Sequence, residues 1–447
     1  MPILRGLIPP LLGKALLVGA LIILLLLPIA QVDHLVSERV GMRANAAARV
    51  AESWGGPQTT GGVLLAIPIE QTRVIYGSRT ETERRMVYVL PDTLKIDASS
   101  EPSYRTVGLY RTPVYLAHVG LSGEFAGRDF AQWFEQKEGR TVHWDEARLL
   151  VLNSEASSLR AVDDFAVAGE DTAVSAGAYA GFAGISTAVP RGALREANNI
   201  PFHVTLTLAG SRRLDFLALA RKADVEITST WEHPKFEGAP APLSPTIGKQ
   251  GFKARWSVLE MNRSFGQSWI DEQVRPDLPA QRALQQSSVG VTFYEPVDIY
   301  QRNYRAVHYA ALFIVITFLA FFLWEHVSGL VIHAMQYLMV GLALALFYLL
   351  LLALSEHLSF ELAYVASASA LVALITVYLS GALRSTRLAL GVGAGLATLY
   401  TMLYWILRSE DYSLLMGSLL LFGLLTVLML ATRRVDWGGV ARLRQEA

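Results

Sequence analysis

Apolar positions fall along this chain in two patterns, and the change between them divides it. Around Leu11 to Gln31, just after Arg5 and Lys14, stands the unbroken run "ALLVGALIILLLLPIA". Five comparable runs follow Val307. They are "YAALFIVITFLAFFLW" (309–324), the segment from about Tyr337 to Leu354, "ELAYVASASALVALITVYLSG", "LALGVGAGLATLYTMLYWIL" and "SLLMGSLLLFGLLTVLMLAT". A helix needs about 20 mostly apolar residues to cross a hydrocarbon core about 30 Å thick. Each run qualifies, so one membrane helix is expected before, and five after, a long stretch of ordinary soluble composition. The first run is too long for a signal-peptide core, and "LPIAQVD" makes a poor cleavage site, so it is expected to stay as an anchor.

Between the spans the period changes to two. "RMVYVLP" (85–91), "HVTLTLAG" (203–210), "ADVEITSTW" (223–231), "KARWSVL" (253–259) and "GVTFYEPV" (290–297) alternate apolar and polar residues and favour β-branched and aromatic types. That is the signature of half-buried strands punctuated by Gly, Pro, Asn and Asp. Helical spacing is confined to 36–54, which extends the first span as an amphipathic helix, to 128–137, and to the stretch from Trp269 to Gln286. The expected fold is therefore an α+β membrane protein. It has an N-terminal transmembrane helix (1–32), a large β-rich, sandwich-like region of one lobe or two (33–307), a five-helix transmembrane bundle (308–432) and a basic tail (433–447).

Composition agrees with the pattern and narrows the chemistry. Hydrophobic residues make up 52% and charged residues 17% of 447, and mean hydropathy is +0.34. With 39 basic against 39 acidic residues, the basic field that nucleic acid demands is missing. There is no cysteine, which excludes disulfides, thiol catalysis and cysteine metal sites. Position, rather than total, gives the charge its meaning. With the N-terminus inside, the short cytoplasmic pieces would hold Arg5, Lys14, Arg384, Arg387, Arg433, Arg434, Arg442 and Arg444, whereas the outer short loops hold only Arg408. The positive-inside rule then places both termini in the cytoplasm and the β-rich region outside, which in a bacterium is the periplasm.

Catalytic signatures are missing: no G-x-S-x-G, no P-loop, no H-E-x-x-H. No cofactor is expected. The densest cluster of chemistry-bearing types in the β-rich region is "TWEHPKFEG" (230–238). Trp231, His233, Pro234 and Phe236 read either as a strand end, with Pro234 stopping the ladder, or as a recognition surface built on rigid aromatic anchors. In "GGPQTTGGVLLAIPIE" (55–70) the Gly pairs read as a turn into the first strand. Ionisable residues avoid the span centres and gather at the ends: Glu325 and His326 on one side, Glu356, His357, Glu361, Arg408, Glu410 and Asp411 on the other. His333 and Glu356 lie at opposite ends of one span, roughly 35 Å apart at about 1.5 Å per residue, so they cannot share a ligand. Glu356, His357, Glu361 and Asp411 could converge as a polar interaction surface, as a metal site, or merely face lipid headgroups. Small residues in the spans, among them Gly391 and Gly395 at GxxxG spacing, predict close helix packing within a bundle or between copies.

One span with its flanks, "HAMQYLMVGLALALFYLLLLALSEH" (333–357), resembles the matching span of the CreD family of bacterial inner-membrane proteins. So do "GPQTTGGVLLAIPI" (56–69), "VYVLPDTLKIDAS" (87–99), "RTVGLYRTPVYLAHVGLSGEF" (105–125), "TWEHPKFEG" and "PVDIYQRNYRAVHYAALFIVITFLAFFLWE" (296–325). Lys235 departs from the small hydroxyl residue that the resemblance leads one to expect. The resemblance implies one span, a long periplasmic region and a bundle of spans. It also implies a role in envelope integrity and in the response to envelope stress such as β-lactams and colicins, under a two-component regulator. It brings no catalytic residues. The leading expectation is a non-enzymatic inner-membrane protein whose β-domain binds a periplasmic protein or cell-wall component, with membrane lipids around it and a homo-oligomer open. The alternative is a lipid or small-molecule transporter or flippase subunit, which would need a polar groove formed by Gln336, Ser367, Ser369 and Thr401.

Overall fold

Long apolar helices and long paired strands segregate into two units in the computed structural model, which describes residues 10–76, 79–131, 133, 139–196, 199–295, 299–328, 332–382, 385–408 and 413–432. One unit comprises residues 1–42 and 297–447, the other residues 43–296.

Helix α1 (Pro10–Trp54) runs unbroken for 45 residues, its first part in the helical unit and its last turns, from Arg43, in the β-rich one. The β-rich unit adds the short helices α2 (Gly127–Ala131), α3 (Ala193–Glu196) and α4 (Ala280–Gln285). The helical unit continues with α5 (Ile299–Ser328), α6 (Ala334–Ser355), α7 (Phe360–Ala382), α8 (Thr386–Arg408) and α9 (Ser413–Thr432). Among the described residues α1 and α5 to α8 are long and apolar enough to cross a membrane, and α9 has 20 residues of similar character. The architecture agrees with the expectation from hydropathy.

The strands, in chain order, are β1 (Gln58–Tyr76), β2 (Arg79–Val89), β3 (Thr93–Val107), β4 (Tyr110–Ala126), β5 (Arg140–Val142) and β6 (Arg148–Asn153). They continue as β7 (Leu159–Val167), β8 (Glu170–Asp171), β9 (Val174–Tyr179), β10 (Phe182–Ala188), β11 (Asn199–Ser211) and β12 (Arg213–Leu217). The last are β13 (Lys222–Ser229), β14 (Pro234–Gly238), β15 (Thr246–Gly248), β16 (Gly251–Leu259), β17 (Ser268–Ile270) and β18 (Ser288–Phe293). One sheet has the order β14-β18-β12-β1-β6-β10-β9, with β2 and β5 also on β1 and β17 on β2. The other has the order β15-β16-β13-β3-β4-β11-β7-β8. A single core lies between them. Val63, Leu65 and Ile67 of β1 pack there with Ile96 of β3, Leu121 of β4, Val204 of β11 and Trp256 of β16. This is the face-to-face arrangement of a sandwich.

β1 is apolar on both faces, and the structure gives the reason. Leu64 and Ala66, on the side away from the central core, are covered by Tyr88, Phe265, Trp269 and Leu284. A strand buried on both faces loses its alternation. The stretch from Trp269 to Gln286 supplies this cover as β17 and the six-residue α4 rather than as one helix. Of the helix expected over 128–137, α2 accounts for the start, and most of the remainder lies outside the described residues.

The two Gly pairs of "GGPQTTGG" separate. Gly55 (φ +127°) turns the chain out of α1, where a Cβ would meet the Ala209 carbonyl oxygen at 2.6 Å. Gly61 (φ +91°) instead lies inside β1, at the bulge where the register with β6 shifts between Thr60 and Gly62. Only the first pair is a turn into the strand; the second places the residue that a bulge of this kind requires at positive φ.

Candidate functional site

Three groups of side chains could carry function, and each is defined by long-range packing. The first is "TWEHPKFEG". β13 ends at Ser229 in one sheet, and the chain crosses to begin β14 at Pro234 on the edge of the other. Pro234 therefore opens an edge strand paired to Phe293 rather than ending a ladder, a position where its missing N–H does no harm. Trp231 and Phe236 pack against the core. The Trp231 ring meets Tyr104 at 5.7 Å and Phe293 at 5.9 Å, and its Nε1 donates to the Tyr294 carbonyl at 3.0 Å. Phe236 packs edge-on against Phe252 and Trp256 at 5.8 and 5.7 Å. His233 and Lys235 are exposed. The aromatic members are thus occupied inside, and the surface left for a partner is His233 with its neighbours.

The second group is the α6–α7 end of the bundle. Glu356 forms an ion pair with Arg39 of α1 at 3.2 Å, and Glu361 one with Arg302 of α5 at 2.9 Å. Asn303 donates to the Ser355 hydroxyl at 2.8 Å, and Arg302 also lies over the Phe360 ring at 5.3 Å. His357 is exposed. Asp411 lies outside the described residues. Each of the two glutamates is held by its own cation on a different helix. Among the described residues no group of three or more His, Asp or Glu side chains is placed to hold a metal.

At the other end of the same helices stands a network that hydropathy did not disclose. Glu325 of α5, 8% exposed, is paired with Lys14 of α1. It also accepts the Ile332 N–H at 2.9 Å and the Tyr337 hydroxyl of α6 at 3.1 Å, while Lys14 donates to the Ile332 carbonyl at 3.0 Å. The signal was two lone opposite charges at the same end of two apolar runs. Between the ends aromatic rings pack across the helices: Tyr400 on Phe347 and Phe313 at 4.7 and 5.9 Å, and Phe318 on Tyr337 at 5.4 Å.

The third group lies on the solvent side of the eight-stranded sheet. Register aligns Glu226 (β13), Asp97 (β3), Gly120 (β4) and Thr205 (β11) in one row. Thr228, Ser99, His118 and Thr207 form the next row. Gly120 removes a side chain from the middle, and a Cβ there would meet nothing nearer than the Asp97 carbonyl oxygen at 3.8 Å. The result is an open depression of about 360 Å³ ringed by Asp97, Ser99, His118, Thr205, Glu226 and Thr228. His118 Nδ1 and the Thr207 hydroxyl share a hydrogen bond at 3.1 Å, and Thr207 donates to Asp163 at 3.3 Å. Asp97 is paired with Lys95 at 2.6 Å and Glu226 with Lys253 at 2.7 Å. A rim of carboxylates, hydroxyls and an imidazole around an open floor offers acceptors and donors to a hydroxyl- or amide-rich ligand. Alternation along any one strand could not reveal it, because the depression is a property of four registers.

Of the residues considered for a transport groove, Ser369 and Thr401 do line one, between α7 and α8, of about 520 Å³. Ser367 is fully buried, and Gln336 caps α6 by accepting the His333 N–H at 3.0 Å. The helices approach closely at glycines other than the GxxxG pair. A Cβ at Gly341 would strike Leu25 at 2.1 Å and one at Gly393 would strike Thr376 at 2.3 Å, whereas Gly391 and Gly395 face open space.

Comparison with known proteins bears on the whole chain. A family model described as Inner membrane protein CreD matches residues 10–438. Over 435 residues the chain is 28% identical to the Inner membrane protein CreD of Escherichia coli (strain K12), covering 96% of this chain and 94% of that relative.

Proposed function

Because the chain belongs to the CreD family of inner membrane proteins, we propose that it is a non-enzymatic component of envelope integrity and of the envelope-stress response, whose β-rich unit binds a periplasmic protein or cell-wall component. The orientation follows from the basic residues of the short connections: the β-rich unit is periplasmic and both termini are cytoplasmic. The observation that carries the reading is the depression over Gly120, a polar, open, solvent-side surface on the eight-stranded sheet. The bundle supports the same division of labour. Two pairs of ionisable groups at its ends, Lys14 with Glu325 and Arg39 with Glu356, are tied to each other across helices. Such pairs suit an anchor better than a proton path, in which ionisable groups line the route. We propose no cofactor.

The test uses the full chain in intact envelopes. A photo-crosslinking residue at His118 or Thr228, with controls at His233 and His357, is activated with and without envelope stress, and adducts are identified by mass spectrometry. An adduct at the sheet face that Gly120→Val removes is the expected result. Val suits an exposed strand position and fills the depression, so loss of the adduct without loss of folded protein is interpretable. Self-crosslinks alone, in stressed and unstressed cells, would sink partner binding. Orientation is tested separately: the chain has no cysteine, so a single cysteine at His357 should react with an impermeant maleimide in intact spheroplasts, and one at Ser385 only after lysis.

A transporter or flippase subunit is the second reading. The α7–α8 groove with Ser369 and Thr401 favours it, but the Thr401 hydroxyl is spent on the Ala397 carbonyl at 2.8 Å. Lipid scrambling by the purified chain in vesicles, lost in Ser369→Leu, would bring this reading to the front.

A further inference from the structure

We propose that the groove between α5 and α8 is a binding site for one anionic phospholipid, with an acyl chain along the groove and the phosphate at Arg387 and the first turn of α8. The groove holds about 470 Å³ and is lined by Ile316, Thr317 and Phe321 of α5 and by Gly391, Gly395 and Leu399 of α8, with Arg387 at one end. From Arg387 to Leu399 is 12 residues of helix, about 18 Å at 1.5 Å per residue. Half of a hydrocarbon core is about 15 Å. The groove therefore starts at a cation near a membrane boundary and runs the depth of one leaflet.

The wall selects an apolar occupant. Thr317 offers no free donor, because its O–H is given to the Phe313 carbonyl at 2.8 Å within its own helix. Gly391 and Gly395 deepen the floor, since a Cβ at either would find nothing within 4 Å. The pair therefore serves no helix contact among the described residues.

The mouth selects an anion. Arg387 is exposed and has no ion pair among the described residues. It stands in the first turn of α8, which carries no acidic residue. The start of a helix is electropositive, with unpaired N–H groups pointing outward. A cation there is opposed by the helix unless an anion lies between them, and a phosphate on those N–H groups is the standard solution. The inference rests on the inner-membrane placement of the chain alone, so it stands or falls independently of the partner and orientation proposed above.

The experiment is native mass spectrometry of the delipidated full chain in detergent, titrated with dioleoylphosphatidylglycerol or dioleoylphosphatidylcholine, with inorganic phosphate as competitor. One basic side chain near a headgroup contributes about a fivefold preference for anionic lipid. The wild type should show roughly that factor, Arg387→Gln should bring it to about one, and Gly391→Leu/Gly395→Leu should weaken both lipids. Phosphate should displace neither. An unchanged preference in Arg387→Gln overturns the proposal, as does displacement of lipid by free phosphate. So does a shift of the glycine variant from dimer to monomer, which would assign the groove to a second copy. If the glycine variant does not elute as folded protein, Arg387→Gln decides alone.

Discussion

Replacing Lys14 by Met tests whether a charge pair between the first helix and the bundle holds the helical unit together. Glu325 is 8% exposed and has three attachments: Lys14, the Ile332 N–H and the Tyr337 hydroxyl. Met keeps the apolar stem and removes the ammonium, leaving a carboxylate with two neutral donors. Breaking a buried ion pair from one side costs about 3–5 kcal/mol. The Lys14 side chain keeps 28% exposure, so water supplies part of the compensation, and about 2–3 kcal/mol is expected. Glu325→Gln removes the same pair but leaves a neutral oxygen for Ile332 or Tyr337, at a cost of about 1–2 kcal/mol. If the pair is the origin, the double variant costs less than the sum, with a coupling of at least about 1 kcal/mol. The assay is thermal unfolding of the four full-length proteins in one detergent, followed by fluorescence-detected size-exclusion chromatography. The exchange Lys14→Glu with Glu325→Lys is the sharper control. On the proposed topology both positions face the cytoplasm, so it restores the pair without changing the number of basic residues on that side. Strictly additive shifts, or an exchange variant no better than Lys14→Met, would refute the reasoning.

Phe236→Ala should lower stability by about 2 kcal/mol, less than a fully buried ring, because its packing on Phe252 and Trp256 is only half-buried; His233→Ala should stay within about 0.5 kcal/mol, both read by thermal unfolding. Gly393→Leu should prevent accumulation of folded protein, since its side chain would enter Thr376, whereas Gly391→Leu should elute as wild type. Around Arg221, which binds Asp92, Asp129 and Glu260 at 2.7, 2.6 and 2.7 Å, two carboxyls shift oppositely. Partial burial raises Asp92, but hydrogen bonds from Arg221 and Arg128 outweigh it and hold the group below its usual range. Burial wins at Asp129 and pushes it up despite the same arginines. A lowered carboxyl stabilises above its unfolded pKa, about 3.9, and loses that contribution as pH falls through the lower folded value; a raised one does the reverse. Asp92→Asn should therefore cost more than Asp129→Asn at pH 7, and the gap should close below about pH 4 when unfolding is measured against pH.

What the sequence disclosed and what it withheld divide by distance along the chain. A span is a property of about 20 neighbouring residues, and a strand's alternation of five to nine, so both were legible; β2, β11, β13, β16 and β18 lie where alternation predicts. The exceptions have one cause. β1 carries no alternation because the chain from Phe265 to Leu284 returns to cover its second face. The depression over Gly120 needs β13, β3, β4 and β11 aligned, and "TWEHPKFEG" could be read as a strand end or as a surface because the core that receives Trp231 and Phe236 is assembled from both sheets. Lys14 shows the limit most plainly. Counted among the basic residues before the first span, it argues for topology; paired with Glu325, 311 positions later, it argues for packing. One side chain carries both arguments, and only the second depends on where the chain folds back.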